Sequence, residues 1–357
     1  MHKIARDYTG KYYHLPPVTV YERSVFRRIT IPMHDGTKLA ATLATPGGPE
    51  TPRPTILVRT PYGSTGKDPV ATLYLERGLN YIVQDTRGRF ESGGDFFPIK
   101  DERSDGGDTV AWIKQQPWSD GRVGVHGVSY MGMTALAVAG SEDPAVKVTI
   151  PVMASSQIYP IAFPAERAVA LELLAVWTWL IHEMQNASAL VMCFIAEAIF
   201  GVKGFAYRRV KRMLEGESKA LPLRDVDLRV VGKRVNYIAD GLANPDVELP
   251  FWETRNMLAD LASGTIRSDI HFVGGWYDFF LHRQLQDFAV TQEAGLESRL
   301  TVGPWAHWDM LKYFGPSTRI QVAEYLRSAP QPVASRTICN TQETKDTRRK
   351  TQYAMRP

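Results

Sequence analysis

The chain has 357 residues, of which 44% are apolar and 22% are charged, and its formal net charge is +4. This composition is ordinary for a globular protein and excludes a fibrous or wholly disordered chain. The length predicts a main domain with an insertion or appendage. The N-terminus lacks the apolar core of a secretory signal, and the two cysteines, Cys193 and Cys339, show no disulfide or metal-ligand pattern. We therefore expect a cytoplasmic protein.

Charge and hydropathy are unevenly distributed along the chain. Residues 336–357 contain six basic and two acidic side chains, an excess equal to that of the whole chain. Because this segment has no pattern of interleaved aromatics, residues 329–357 are predicted to be a basic, disordered tail that does not bind nucleic acid. The most apolar stretch, Ala187 to Val202, contains Glu197 and is too short to span a bilayer. It predicts a buried or cap helix and no membrane partner.

Residues 1–154 show the alternating pattern of an α/β sheet. A turn at Asp35-Gly36 joins two β-rich runs and predicts a hairpin. The predicted elements are strands Arg28–Pro32, Leu39–Leu43, Thr55–Arg59 and Tyr81–Gln84, helix Asp105–Gln116, and strands Val123–His126 and Val148–Pro151. This alternation favours a mostly parallel sheet with helices on both faces.

The strand pattern fades between residues 155 and 268, where helix-forming residues dominate. We predict a helical cap inserted into the sheet domain, with helices at Ala165–Gln185, Ala187–Phe200 and Leu249–Ala262. Residues 269–328 are predicted to complete the sheet domain, with strands at Asp269–Val273 and Leu300–Val302 and a helix at Ile320–Leu326.

The run from Val123 to Gly132 contains a strand that stops at glycine and is followed at once by a helix of small residues. Ser129 lies at the junction. A sharp strand-to-helix turn exposes its residue above the sheet and directs the first helical N–H groups towards the group that this residue attacks. The pattern is typical of the nucleophile elbow of a serine hydrolase.

A serine nucleophile needs a histidine to accept its proton and a carboxylate to orient that histidine. In α/β-hydrolases both follow the serine in the order acid, then histidine, each on a loop after a strand. Asp278 and His307 occupy such positions, after predicted strands and in this order. Parallel strands bring their carboxyl ends to one edge of the sheet, where α/β active sites form. We predict that Ser129, Asp278 and His307 form a catalytic triad.

Six short blocks stand in order along the chain, at Arg59–Tyr62, Asp85–Gly88, Gln116–Gly124, Gly127–Gly132, Trp276–Asp278 and Gly303–His307. Together they resemble the CocE/NonD hydrolases, a family that includes cocaine esterase and α-amino-acid ester hydrolases and is related to X-Pro dipeptidyl peptidases. The resemblance covers roughly residues 25–325. It implies an α/β-hydrolase fold with a helical cap. The sequence has no metal-ligand or nucleotide-binding motif, so no metal or cofactor is expected. The resemblance also implies an oxyanion hole made by the Tyr62 hydroxyl and the Tyr130 backbone N–H. Relatives carry a C-terminal β-sandwich (jelly-roll) domain, which we expect this chain to lack.

These expectations describe a serine hydrolase that acts on a small-molecule ester or amide. Esters are favoured because an alkoxide leaves more readily than an amine. Two alternatives stay open. One is an aminopeptidase of the X-Pro dipeptidyl type, whose acidic cap pocket would use Glu166, Glu172 or Glu183; the other is a truncated, catalytically impaired homologue. A homo-oligomer is also possible.

Several other polar and aromatic residues have ordinary structural interpretations. His126 lies in the strand before the elbow and is expected in the core. Asp85, Arg87 and Arg89 follow another strand and predict an ion-pair network that shapes the pocket wall without taking part in catalysis. The cap tryptophans Trp177, Trp179 and Trp252 are expected to be core residues.

Overall fold

The computed structural model describes residues 17–309, except 21, 49–50, 65–68, 165–167, 187–188, 200–203, 218–219 and 308. The predicted helix at Ile320–Leu326 and the predicted tail at 329–357 lie outside the described residues. Within them the chain forms an eight-stranded sheet in the order β1-β2-β4-β3-β5-β6-β7-β8. The strands are β1 Val25–Pro32, β2 Lys38–Thr45, β3 Arg53–Thr60, β4 Asn80–Asp85, β5 Ser119–Val128, β6 Val146–Val152, β7 Asp269–Tyr277 and β8 Ser298–Ala306.

The sheet is mostly parallel, which confirms the predicted fold class. Strands β1 and β2 form the predicted antiparallel hairpin, and β2 also runs antiparallel to β4. All the other strand pairs, from β4–β3 to β7–β8, are parallel. The strands β5, β7 and β8 therefore end at the same edge of the sheet.

Both faces of the central strands are covered, because successive side chains of a strand point to opposite faces. Ile56 and Val58 of β3 belong to one apolar cluster, while Leu57 between them belongs to another. Helix α1 (Pro69–Leu75) packs into the first cluster, and helices α2 (Glu102–Lys114) and α3 (Tyr130–Ala139) pack into the second. Central strands buried on both faces explain the near-continuous apolar runs in the sequence.

Helices fill the segment between β6 and β7, where the cap was predicted. They are α4 Tyr159–Ala162, α5 Leu171–Gln185, α6 Ala189–Ile199, α7 Phe205–Glu217, a 3₁₀ turn Leu223–Asp225, α8 Val226–Val231, α9 Asn236–Ala243, α10 Pro250–Glu253 and α11 Leu258–Ala262. Trp179, Val191, Val210 and Ile238 lie in an apolar cluster formed by this segment. The boundaries proposed for a separate cap unit stay a prediction.

The prediction of one helix over Leu249–Ala262 is wrong. The segment forms two short helices, α10 and α11, with Asn256 between them. Asn256 pairs with Gln157 in an isolated β-bridge, and its side-chain oxygen accepts a hydrogen bond from the N–H of Leu258 at 2.9 Å. The bridge to Gln157, at the start of the cap segment, and the local bond to Leu258 replace helical hydrogen bonds, which a propensity argument does not foresee. No helix of the described residues is long and apolar enough to cross a membrane.

Candidate active site

Ser129 occupies a strained turn between β5 and α3. Its backbone has φ 57° and ψ −126°, a conformation that costs a non-glycine residue about 1–3 kcal/mol. The surroundings hold it there, because its N–H donates to the Val152 carbonyl at 2.9 Å and its own carbonyl accepts the N–H groups of Gly132 and Met133 at 2.9 and 3.1 Å. This conformation places Ser129 outside the regular backbone of both the strand and the helix.

Two glycines make this turn sterically possible. A Cβ on Gly127 would lie 2.4 Å from backbone and side-chain atoms of Met131, and one on Gly132 would lie 2.5 Å from the Cβ of Ala154. The elbow therefore needs glycine two residues before and three residues after Ser129. The residue two positions after it is Met131, so the second glycine stands one position later than in the commonest spelling of the elbow.

The three residues of the predicted triad lie together, although they are far apart in the sequence. The Ser129 Oγ is 3.0 Å from the Nε2 of His307, and the Nδ1 of His307 is 2.5 Å from the Oδ2 of Asp278. Asp278 directly follows β7 and His307 directly follows β8. A hydroxyl, an imidazole and a carboxylate in this order are arranged for proton removal from the serine.

Packing around Asp278 and His307 limits their freedom. The Asp278 side chain is 0% exposed and that of His307 is 12% exposed. The rings of Phe279 and Phe280 lie 4.4 and 5.6 Å from the His307 ring. The Oδ1 of Asp278 accepts the N–H of Phe280 at 2.8 Å while its Oδ2 contacts His307. This carboxylate therefore organises its own loop and also contacts the imidazole.

The two predicted oxyanion-hole tyrosines contribute different groups. Tyr62 lies two residues after β3, and its hydroxyl accepts the indole N–H of Trp177 at 3.1 Å. Burial raises the pKa of the Tyr62 hydroxyl to about 12, although its hydrogen bonds with Trp177 and Ser129 oppose that rise. The phenol therefore keeps its proton at neutral pH and can donate it to a developing oxyanion.

The Tyr130 side chain lies in the interior, and its backbone N–H stands at the start of α3. It is the first residue of α3, where backbone N–H groups have no partner within the helix. Its hydroxyl donates to the Glu102 Oε1 at 2.9 Å and accepts the Ile99 N–H at 3.0 Å. Burial raises the pKa of the Tyr130 hydroxyl well above its usual range. These bonds anchor the first turn of α3 beside Ser129.

Comparison with known proteins assigns the family. A sequence profile described as X-Pro dipeptidyl-peptidase (S15 family) matches residues 35–309, which is more than half of the chain. The chain belongs to the S15 family. Among curated relatives, cocaine esterase from Rhodococcus sp. (strain MB1 Bresler) is 29% identical over 291 residues, covering 80% of this chain and 49% of that protein. This S15-family chain spans about half the length of that relative.

Solved structures similar to this S15-family chain show the fold. An aminopeptidase from the marine sediment archaeon Thaumarchaeota archaeon aligns with a TM-score of 0.64 at 20% identity, covering 88% of this chain and 57% of the other. A CocE/NonD family hydrolase from Staphylococcus aureus aligns with a TM-score of 0.57 at 18% identity, covering 85% and 50%. These structures confirm the α/β-hydrolase fold, while the family profile and the identity with cocaine esterase confirm the CocE/NonD resemblance.

Trp177 has a role in this S15-family site that its sequence context did not reveal. It was expected in the core with the other cap tryptophans. Trp179 and Trp252 are indeed buried, at 3% and 5% exposure. Trp177 instead donates to the Tyr62 hydroxyl, and its ring stacks on that of Tyr130 at 5.6 Å. It therefore contacts both tyrosines of the predicted oxyanion hole. Its position one helical turn before Ile181 is visible in the sequence, but its partner is not.

The predicted ion-pair network after β4 is only partly correct. Arg87 pairs with Asp105 at 2.6 Å and with Asp35 at 2.7 Å, and Asp85 lies 3.6 Å from Arg28. Arg89 does not belong to this network. Its guanidinium binds two backbone carbonyl oxygens instead.

The remaining candidate residues differ in burial, and one of them lies outside the described residues. His126 is buried and stacks on Tyr74 at 5.5 Å, and burial lowers its pKa to about 3, as suits a core histidine. Glu166 lies outside the described residues, Glu172 is exposed and Glu183 is half-buried. Among the described residues, no group of three or more His, Cys, Asp or Glu side chains is arranged to hold a metal ion.

Proposed function

We propose that this chain is a serine hydrolase that cleaves carboxylic esters through an acyl-enzyme. The observation that carries the proposal is the contact series from Ser129 to His307 to Asp278. Family membership and the identity with cocaine esterase support it. The proposed substrate is a small molecule.

Acylation would begin when the Ser129 Oγ attacks the ester carbonyl and passes its proton to the Nε2 of His307. Asp278 would hold the imidazole in the required orientation through Nδ1. The Tyr62 hydroxyl and the Tyr130 N–H would donate to the oxyanion of the tetrahedral intermediate. A preorganised donor at this position contributes about 2.7–4 kcal/mol to lowering the barrier.

The intermediate would collapse as His307 returns the proton to the leaving alcohol, which leaves Ser129 acylated. Water would then attack the acyl group and pass a proton to His307, which would return it to the Ser129 Oγ as the acyl–oxygen bond breaks and the carboxylic acid departs. Esters are preferred over amides because the alkoxide leaving group needs less protonation than an amine.

The test compares the wild-type chain with Ser129→Ala on p-nitrophenyl acetate and butyrate. We expect ester hydrolysis that Ser129→Ala removes, and labelling by a fluorophosphonate probe that the same variant abolishes. Ser104→Ala is the matched control, because Ser104 is an exposed helix residue whose hydroxyl bonds to the Asp101 carbonyl. Equal rates for wild type and Ser129→Ala would refute the assignment.

A peptidase activity is the second candidate, because the matching family is described by X-Pro dipeptidyl peptidases. Hydrolysis of Gly-Pro-p-nitroanilide at a rate above that of the esters would favour it. A chain that neither hydrolyses these substrates nor reacts with the fluorophosphonate would instead be a catalytically impaired homologue.

A further inference from the structure

Arg89 is a buried arginine whose hydrogen bonds join two separate parts of the chain. It follows β4 and is 6% exposed. Its Nε donates to the carbonyl of Pro61 at 2.9 Å, and its Nη2 donates to the carbonyl of Ile181 at 2.5 Å. Pro61 directly precedes Tyr62, whereas Ile181 lies in the last turns of α5. One guanidinium therefore bridges the segment of the predicted oxyanion hole and a cap helix.

The neighbouring residue makes a parallel connection. The N–H of Phe90 donates to the Oε1 of Gln185 at 3.0 Å. The Phe90 ring lies against Gly63, where an added Cβ would come within 3.0 Å of it. The Arg89–Phe90 pair thus contacts α5 at two positions one turn apart and contacts both residues that flank Tyr62.

Helix α5 continues this connection back to Tyr62. Trp177, Ile181 and Gln185 are spaced four residues apart, so they lie on one face of the helix. The Trp177 indole donates to the Tyr62 hydroxyl. The contacts therefore form a closed ring: Arg89 binds the backbone beside Tyr62, the same guanidinium binds α5, and α5 holds Trp177 on the Tyr62 hydroxyl.

The positive charge of Arg89 lies close to two groups that it can influence, the end of α5 and the Tyr62 hydroxyl. In the part of the chain that the structure describes, Arg89 forms no ion pair, whereas Arg87 binds two carboxylates. Its positive charge lies near the carboxyl end of α5, where a helix dipole favours cations. The same charge acts to lower the pKa of the Tyr62 hydroxyl, so it favours negative charge at the place where the oxyanion would bind.

We infer that Arg89 is a positioning residue for Tyr62, which couples docking of the cap helix α5 to formation of the oxyanion hole. This inference rests on the proposed function. Arg89 would not touch the substrate; it would act by keeping the Tyr62 hydroxyl at hydrogen-bond distance from the oxyanion. Lysine cannot replace it, because an ammonium lacks the planar fork that addresses two diverging carbonyls at once.

The first test is a double-mutant cycle between Arg89→Lys and Tyr62→Phe, measured as kcat and KM on p-nitrophenyl acetate. We expect Arg89→Lys to lower kcat by about 10-fold at similar KM, since small displacements of a positioned group cost one to two powers of ten. In the Tyr62→Phe background the same change should have little further effect. Arg87→Lys is the matched control, and it should leave the effect of Tyr62→Phe on kcat unchanged. Equal effects of Arg89→Lys in both backgrounds, or none in either, would overturn the inference.

The second test does not depend on activity and so separates this inference from the proposed function. Hydrogen–deuterium exchange is measured for wild type, Arg89→Lys and Arg87→Lys at one temperature below their unfolding transitions. We expect at least 5-fold faster exchange in residues 177–185 for Arg89→Lys alone. Unchanged exchange there would overturn the coupling even if the esterase activity stands. If the wild-type protein is inactive and residues 177–185 still exchange faster in Arg89→Lys than in wild type, the coupling stands while the proposed function fails.

Discussion

The sheet edge and the cap segment contribute to the candidate site in different ways. The edge supplies the side chains proposed to react, each placed directly after a strand: Ser129 after β5, Asp278 after β7 and His307 after β8. The cap supplies Trp177, which touches Tyr62 and Tyr130. Parallel strands deliver their ends to one place whatever lies above them. The helix has no such constraint, so its approach to Tyr62 depends on packing and on the hydrogen bonds of Arg89 and Phe90.

This contrast has a second example within one loop. Arg87 and Arg89 are two residues apart, yet Arg87 binds the carboxylates of Asp105 and Asp35, and Arg89 binds backbone carbonyls of Pro61 and Ile181. Arg87 therefore ties its loop to the sheet domain, while Arg89 ties the same loop to α5. Residues of the same type serve different regions because their side chains leave the loop in different directions.

Loss of an edge residue should have the greatest effect. His307→Ala removes the group that accepts the Ser129 proton, and we expect kcat on p-nitrophenyl acetate to fall on the order of 10⁴- to 10⁶-fold. His34→Ala is the control, because His34 is an exposed histidine paired with Asp108. Steady-state kinetics of the two variants decides the matter: an activity of His307→Ala within 10-fold of wild type would contradict the triad.

Loss of the hydrogen bond between Trp177 and Tyr62 should lower kcat far less. Trp177→Phe keeps an aromatic ring but removes the indole N–H that bonds to the Tyr62 hydroxyl. A hydrogen bond of this kind is worth about 0.5–1.5 kcal/mol, so we expect kcat to fall by about 3- to 10-fold. The matched control is Trp179→Phe, since Trp179 lies on the same helix in the cap cluster. If both variants lower kcat equally, the effect comes from general loosening of the cap.

We expect the smallest effect on activity at the junction between the sheet and the cap, where the change to be measured is one of stability. Asp287 in α12 (Leu281–Glu293) is buried and accepts the backbone N–H and the hydroxyl of Ser156 at 2.7 and 2.6 Å. Burial raises the pKa of Asp287 from 3.8 to about 6. The folded state therefore holds this proton more tightly than the unfolded state, and its contribution to the free energy of unfolding falls as the pH rises from about 4 to about 6.

Urea unfolding at several pH values between 4 and 7 measures this dependence. The Asp287 contribution should amount to roughly 2–3 kcal/mol across the interval, because one pKa unit corresponds to about 1.4 kcal/mol. Asp287→Asn should remove that part of the slope, and Asp95→Asn, at an exposed position, should leave it in place. Identical slopes for wild type and Asp287→Asn would show that the Ser156 junction does not titrate in this range.

Prediction from the sequence succeeded where a local rule connects residue type to position. The hairpin with its Asp35-Gly36 turn is an example, as β1 and β2 pair in register from Val25–Thr45 to Pro32–Lys38. The elbow is another example, because Gly127 and Gly132 stand where a Cβ would collide with Met131 and Ala154. Prediction failed for α10 and α11, since the bridge that interrupts them pairs Asn256 with Gln157, which is about 100 residues away.

The strands along the chain, and the serine, acid and histidine predicted to act at their ends, could be located from the sequence, because strand ends, tight turns and apolar periodicity are properties of short segments. The supporting contacts could not. Trp177 meets Tyr62 across 115 positions, and Arg89 meets Ile181 across 92 positions. The Ser129–His307 contact spans 178 positions, but the ends of two strands mark both residues in the sequence. The contacts of Trp177 and Arg89 form only after the cap helices have packed against the sheet domain, so no local pattern in the sequence marks them.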